Sequence, residues 1–323
     1  MSSLRPILIL AVIFGACFIS STYSEHHHGS NDKAFESLYM HLMPAWLVTT
    51  NHAPDGVDDG EHEAAQHPLV QIPLPTALSL FDSNQDESDG NHLVMFNLQV
   101  FQLAAVLLIF IAFSGVSRHM KDGKGDAITR FLAGACLFVR NDMVRPNMQR
   151  AHADALLPMF LSLFFFILFM NLMGLVPGSV TPTACIFVTG ALAFIVLGMM
   201  IVGGMVVQGP IAYWKSLVPH VPLWLWPLLF VVELIGVTVK PFALTIRLFA
   251  NMTGGHMVVL SFMGLIFFFA GVDFSSTGYG FSPVAVGFAV FIMIIEGFVA
   301  FVQAYIFTLL SAIFVGASLH PEH

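Results

Sequence analysis

A chain of 323 residues that is 57% hydrophobic and only 10% charged lies far from the roughly 25% charge of soluble domains, so it reads as an integral membrane protein. Its net charge of -8 does not mark an acidic soluble surface, because the charges are segregated: twelve of the twenty acids lie between Glu25 and Asp89, and seven of the twelve Lys and Arg between Arg118 and Arg150. The one basic cluster flanks an apolar block, which excludes nucleic-acid binding, and Cys17, Cys136 and Cys185 have neither disulfide-framework nor zinc-site spacing.

Residues 1–24 read as a signal peptide: Arg5, an apolar run from Ile7 to Ile19, then small residues ending at Ser24. The segment is not Arg-rich, which argues against a mitochondrial transit peptide; an uncleaved amphipathic start stays open as an alternative. Residues 25–92 form an acidic, His-rich extramembrane segment, too poor in periodic apolar residues for a large core, with short helices expected around Ala34–Leu47 and Pro73–Leu80.

Residues 93–323 are expected to be an all-α membrane domain. Leu93–Val116 crosses once, and Arg118–Arg150, mixing charge with Phe131, Leu132, Leu137, Phe138 and Val139, fits an amphipathic helix on the membrane surface. Leu156–Val176 and Thr183–Val207 have ordinary spanning length. Pro222–Ala270 and Pro283–Ser318 do not. As helices they would reach roughly 74 and 54 Å, against a hydrocarbon core of about 30 Å. Each is a broken pair of spans or one steeply tilted helix, and the lack of a polar turn near Arg247 favours two long tilted helices in an antiparallel hairpin joined at Gly271–Ser282. The positive-inside rule places Arg118–Arg150, Lys215 and the C-terminal tail in the cytoplasm. The acidic segment and the connectors Pro177–Pro182 and Gly271–Ser282, which hold no Lys or Arg, fall outside.

Arg247 stands within Pro222–Ala270, which otherwise carries only Glu233 and Lys240 as charges. A guanidinium keeps its proton, and at membrane depth it costs about 2.5–3.5 kcal/mol even on the lenient insertion scale, so a chain that keeps one is using it. Glu233, Lys240 and Arg247 recur every seven residues and share one helical stripe, with Asn251 on the same face. His256, nine positions past Arg247, lies about 180° away, so the two side chains should look in opposite directions. On the last helix Glu296 and Gln303 again share a face.

The text from Lys240-Pro241 through Arg247-Leu-Phe-Ala-Asn251-Met252, the Met170-Asn-Leu-Met-Gly-Leu-Val-Pro177 segment, and Glu296 through Gln303 to Leu310 resembles subunit a of rotary F-type ATP synthases, over roughly Asn97 to His320. The resemblance implies a non-catalytic stator subunit standing against a ring of c subunits that bear buried carboxylates, with two offset aqueous half-channels meeting the ring. It also implies b-type peripheral-stalk subunits and a soluble F1 ATPase head as partners, and no cofactor. By residue, it implies that Arg247 attracts a deprotonated ring carboxylate and blocks direct proton passage, that Asn251 and Gln303 are polar neighbours of that arginine, and that His256 and Glu296 are the acid/base pair of the outer half-channel. Glu233 and Lys240 correspond to polar positions toward the inner side, and Asn171 to a polar group near the outer entry. Some bacterial members carry the His and the carboxylate exchanged relative to this chain, whose order is that of mitochondrial members. The implied location is the bacterial inner membrane, or alternatively the mitochondrial one, with H⁺ favoured over Na⁺ as the coupling ion.

Other matches fail on geometry. His62-Glu-Ala-Ala-Gln-His67 is one residue too long for a zinc-protease helix, placing the two His about 140° apart. A metal or proton-buffering role for His26–His28 and the other N-terminal His is outweighed by a solvated tail. A secondary transporter using Arg247 as a substrate-carboxylate clamp is the rival reading, but the internal repeats and matched broken helices of that class are absent from the sequence.

Overall fold

A computed structural model describes residues 4–23, 48–50, 66–68, 71–73, 92–94, 97–116, 126–176, 179, 181–218, 224–270 and 276–319. Helix α1 spans Leu4–Tyr23. Four three-residue strands follow, β1 Val48–Thr50, β2 Gln66–Pro68, β3 Gln71–Pro73 and β4 His92–Val94; β1 pairs antiparallel with β2, and β3 with β4. The remaining described elements are helical: α2 Asn97–Phe113, α3 Ala127–Phe138, a π turn Val139–Val144, a 3-10 turn Arg145–Asn147, α4 Arg150–Gly174, a 3-10 turn Pro182–Ala184, α5 Ile186–Gln208, α6 Pro210–Ser216, α7 Trp226–Ala270 and α8 Ser276–Leu319.

Among the described residues four helices, α4, α5, α7 and α8, are long and apolar enough to cross a membrane. Their outward faces carry large exposed apolar side chains, among them Phe187, Phe194, Phe242, Ile294 and Phe298, a surface that lipid rather than water solvates. Inward, α4 presents Phe160, Phe164, Ile167, Asn171 and Gly174 at steps of three and four, all buried. Opposite them α8 offers small residues, Ala300, Ala304, Ser311, Ala312 and Gly316, also buried. Small residues let backbones close on one another where lipid supplies no hydrophobic drive between helices. The closest approach is at Gly316, where an added Cβ would overlap the backbone carbonyl of Asn147. Gly316→Leu is therefore expected to destabilise the packing of the 3-10 turn on α8 by about 1–3 kcal/mol, read as a lower melting temperature of the detergent-solubilised protein; an unchanged melting point would refute the contact.

Helices α7 and α8 run antiparallel along each other. Lys240 Nζ lies 5.6 Å above the Phe314 ring, Gly255 meets Glu296, and the Phe262 and Phe288 rings stack at 5.3 Å. Partner numbers thus fall on one strand of the pairing as they rise on the other.

Several boundaries depart from the sequence expectation. The first apolar block loses its start to strand β4, so α2 has 17 residues and reaches only about 26 Å. Helix α8 begins at Ser276, before the apolar block at Pro283, so the expected connector at Gly271–Ser282 shrinks to residues 271–275, outside the described residues. The expected helix at Pro73–Leu80 is contradicted at Pro73, which lies in β3; its remainder and Ala34–Leu47 lie outside the described residues. The basic segment is not one helix: α3 passes through a π turn and a 3-10 turn before α4. Phe131 on α3 is 73% exposed, with Ile128, Leu137 and Phe138 beside it, and Arg140 and Arg145 both reach Asp154, at 3.2 and 3.1 Å. Finally, α1 packs on the bundle, with the Arg5 guanidinium donating to Thr129 Oγ1 at 2.9 Å and Asp126 3.8 Å away.

Candidate functional site

Helix α7 carries five of the polar residues singled out in the sequence, and it is one unbroken helix despite Pro241 within it. Arg247 and Asn251, one turn apart, are both exposed, and no hydrogen bond or ion pair joins Arg247 to the described residues. The guanidinium therefore looks away from the described residues of its own chain. Glu296 and Gln303 on α8 are buried, 5% and 6% exposed. The structure does not bring Arg247 and Glu296 together.

It does bring together His256 and Glu296. His256 Nε2 lies 3.6 Å from Glu296 Oε1, with the side chains 15% and 4% exposed. The approach depends on Gly255, because a Cβ there would stand 2.6 Å from Oε1. The same Nε2 meets Thr181 Oγ1 at 2.5 Å. Thr181 belongs to the turn between α4 and α5, and that turn is tied to α4 and α7, with α4 tied in its turn to α8. Thr183 donates to Asn171 Oδ1 at 2.7 Å, Asn171 Nδ2 donates to the Ala300 carbonyl on α8 at 3.3 Å, and Thr253 on α7 donates to the Ala184 carbonyl at 3.3 Å. Asn171, fully buried, thus clamps α4 to α8 beside His256 and Glu296. The pair sets a ring nitrogen, which can donate or accept, beside a carboxylate oxygen.

Toward the opposite end of α7 a cavity of about 750 Å³ opens, lined by Glu233 and Lys240 together with Asn147, Gln208, Ser216 and Ser318. Its wall is tied by Gln208 Nε2 donating to the Ser318 carbonyl and Ser216 donating to Gln208 Oε1, both at 2.7 Å. The space beside both charged residues is many times what a single water needs. Arg247 sits between this cavity and the His256–Glu296 pair along one helix. Among the described residues no group of three His, Cys, Asp or Glu stands close enough to hold a metal ion.

Residues 99–316 match the family of the ATP synthase A chain, a stretch that contains every candidate residue named above. The chain belongs to the ATP synthase A chain family. Relatives named ATP synthase subunit a include that of Myxococcus xanthus, 39% identical over 188 residues, which are 58% of this chain and 61% of the relative. That of a strain of Anaeromyxobacter dehalogenans is 39% identical over 237 residues, 72% of this chain and 58% of the relative. That of Chloroherpeton thalassium is 33% identical over 284 residues, 87% of this chain and 79% of the relative. The chain spans 61%, 44% and 58% of three of the Myxococcus and Anaeromyxobacter proteins it matches. Membership in the A chain family agrees with the four long apolar helices of a multi-pass membrane protein.

Sequence reasoning missed Thr181, Thr183, Gly255 and Gln208. Gly254-Gly255 directly before His256, inside a long helix, was the available signal, since a glycine mid-helix can mark a close approach. The Thr181-Pro-Thr183 turn had no comparable signature, because its partners are 75 and 12 residues away.

Proposed function

We propose that this chain is the proton-translocating stator subunit of an F-type ATP synthase, not catalytic by itself, with residues 93–323 as its membrane domain. It provides two offset half-channels. His256 and Glu296, with Asn171 at the entry, form the outer one, and Glu233 and Lys240 line the inner one. Arg247, flanked by Asn251 and Gln303, confronts the carboxylates of a ring of c subunits, and proton flow through the two paths turns that ring and drives ATP synthesis. The long helices α7 and α8 lie tilted across the bilayer as a hairpin, and α3 lies on its surface.

The observation that carries this reading is Arg247: a permanent cation at mid-span, exposed on its own chain and without a partner among the described residues. Leaving such a charge to lipid is costly, so the group that neutralises it comes from another chain. An anion that must come and go suits a rotor better than a fixed pair, because an ion pair of full strength at low dielectric would lock.

The c ring, b-type peripheral-stalk subunits and the F1 head are the partners, with H⁺ as the coupling ion. Bacterial relatives favour the bacterial inner membrane over the mitochondrial one. Residues 1–24 act as a signal peptide, residues 25–92 lie in the periplasm, and the C-terminus is cytoplasmic. Purification from native membranes tests the assignment: the chain should co-purify with a ring of small proteolipids and a soluble ATPase. Recovery as a free-standing substrate transporter would overturn it.

The outer site gives a second test. Gly255→Ala would put a methyl 2.6 Å from Glu296 Oε1, forcing the carboxylate from His256. Displacement of a proton-transfer partner by about 1 Å costs up to ~100-fold, so ATP-driven pumping in inverted vesicles should collapse while the complex still assembles. Pumping at the wild-type rate would show that the close approach is not used.

A further inference from the structure

Resting on the reading of His256 and Glu296 as a proton-exchange pair, we infer that Thr181 is a positioning residue of that pair, holding His256 Nε2 in alternation with Glu296. One ring nitrogen faces two oxygens. Thr181 Oγ1 is at 2.5 Å and Glu296 Oε1 at 3.6 Å. Oε1 is buried and hydrogen-bonds to nothing among the described residues. The structure is thus the arrangement in which Thr181 has the nitrogen and the carboxylate waits.

The two oxygens are not equivalent partners. An ionised carboxylate only accepts, whereas a hydroxyl both accepts and donates. When Nε2 carries a proton, Thr181 accepts from it; when Nε2 is bare, Thr181 turns its own O–H onto the ring. The transfer itself balances. The N–H bond at Nε2 of the imidazolium breaks, an O–H bond forms at Oε1, and a cation and an anion become a neutral imidazole and a neutral carboxylic acid. Once the acid O–H turns away from the ring, Thr181 donates to the vacated Nε2, which would otherwise be a buried acceptor without a partner, an arrangement that costs stability. The hydroxyl keeps the ring aimed at Glu296 through both halves of the cycle.

The surroundings hold Thr181 to this task. Its side chain fills the place that a Cβ on Gly174 would take, and it is 3% exposed. The Ala184 N–H donates to its carbonyl at 3.0 Å, and Thr183 and Ala184 are tied to α4 and α7 by the bonds described above. The oxygen therefore has little freedom to leave the imidazole.

The test is ATP-driven proton pumping by the intact complex in inverted membrane vesicles, for Thr181→Val, Thr181→Ser and Arg247→Ala, with assembly read from co-purified ring and ATPase. Thr181→Val keeps the shape and removes the hydroxyl, and pumping should fall about tenfold, the factor set by loss of one hydrogen bond to a charged group. Thr181→Ser should restore it. Wild-type pumping by Thr181→Val, or equal slowing by Thr181→Ser, would overturn the inference, the latter because the methyl rather than the hydroxyl would then matter. If Thr181→Val does not assemble, Thr181→Cys, whose thiol is a weak donor, replaces it with the same two outcomes. Arg247→Ala separates the two levels: pumping retained in that variant defeats the stator reading itself, whereas a dead Arg247→Ala beside an unimpaired Thr181→Val defeats only the role of Thr181.

Discussion

Arg247→Ala should abolish both ATP-driven proton pumping and ATP synthesis. The side chain is exposed on α7 and unpaired among the described residues, so its removal leaves no hole in this chain and assembly should survive. On the proposed function, what is lost is the attraction for a ring carboxylate and the barrier between the two half-channels. A membrane potential supplies about 2.3 kcal/mol per charge per 100 mV. That drive can shift a carboxylate off the arginine only if the arginine is there to hold it in the first place. Without it, protons should cross between the half-channels unproductively, so passive proton leak through the membrane sector should rise while coupled work vanishes. Arg247→Lys keeps the charge but loses the planar fork that meets a carboxylate with two bonds, and should also fail. Normal coupled synthesis by Arg247→Ala would end the assigned role.

Exchange of the two outer residues, His256→Glu together with Glu296→His, should retain part of the activity, whereas His256→Ala with Glu296→Ala should have none. In the proposed relay one group takes a proton and its neighbour receives it, and that property is symmetric in which helix bears which group. The site is not symmetric in its supports. Thr181 contacts the position on α7 and Gly255 makes room for a side chain from α8, so the exchanged pair meets a smaller group where the imidazole stood and should work more slowly than the native one. General acid/base groups contribute about 10²–10⁴-fold, so the gap between the exchange and the double alanine should be easy to measure by proton pumping in vesicles. An exchange as inactive as the double alanine would sink the relay.

The polar face of α7 was legible in the sequence because a helix repeats its faces by a fixed rotation. The steps of seven from Glu233 to Arg247 and of nine to His256 needed no tertiary information. The pairing of His256 with Glu296 was carried by resemblance and not by spacing, and Thr181 was invisible because only the closure of the α4–α5 turn on α7 creates it. Helix ends were misread for a related reason. Hydropathy marks the part of a helix immersed in lipid, and Ser276–Phe281 continues α8 past that part while His92–Val94 leaves it for a strand. The strand pairs of the acidic segment depend on partners some twenty residues apart, and three-residue strands show no period to detect.

The continuity of α7 has a mechanical meaning. Arg247 and His256 are nine residues apart on one rod, a separation of about 14 Å along the axis, and no hinge lies between them among the described residues. The helix serves as a ruler: if His256 and Arg247 are the proton inlet and the rotor contact of the proposed function, their spacing is set by the geometry of one continuous helix and not by a loop. On that reading the two points keep their gauge during turnover, and the travel falls to the partner that Arg247 faces.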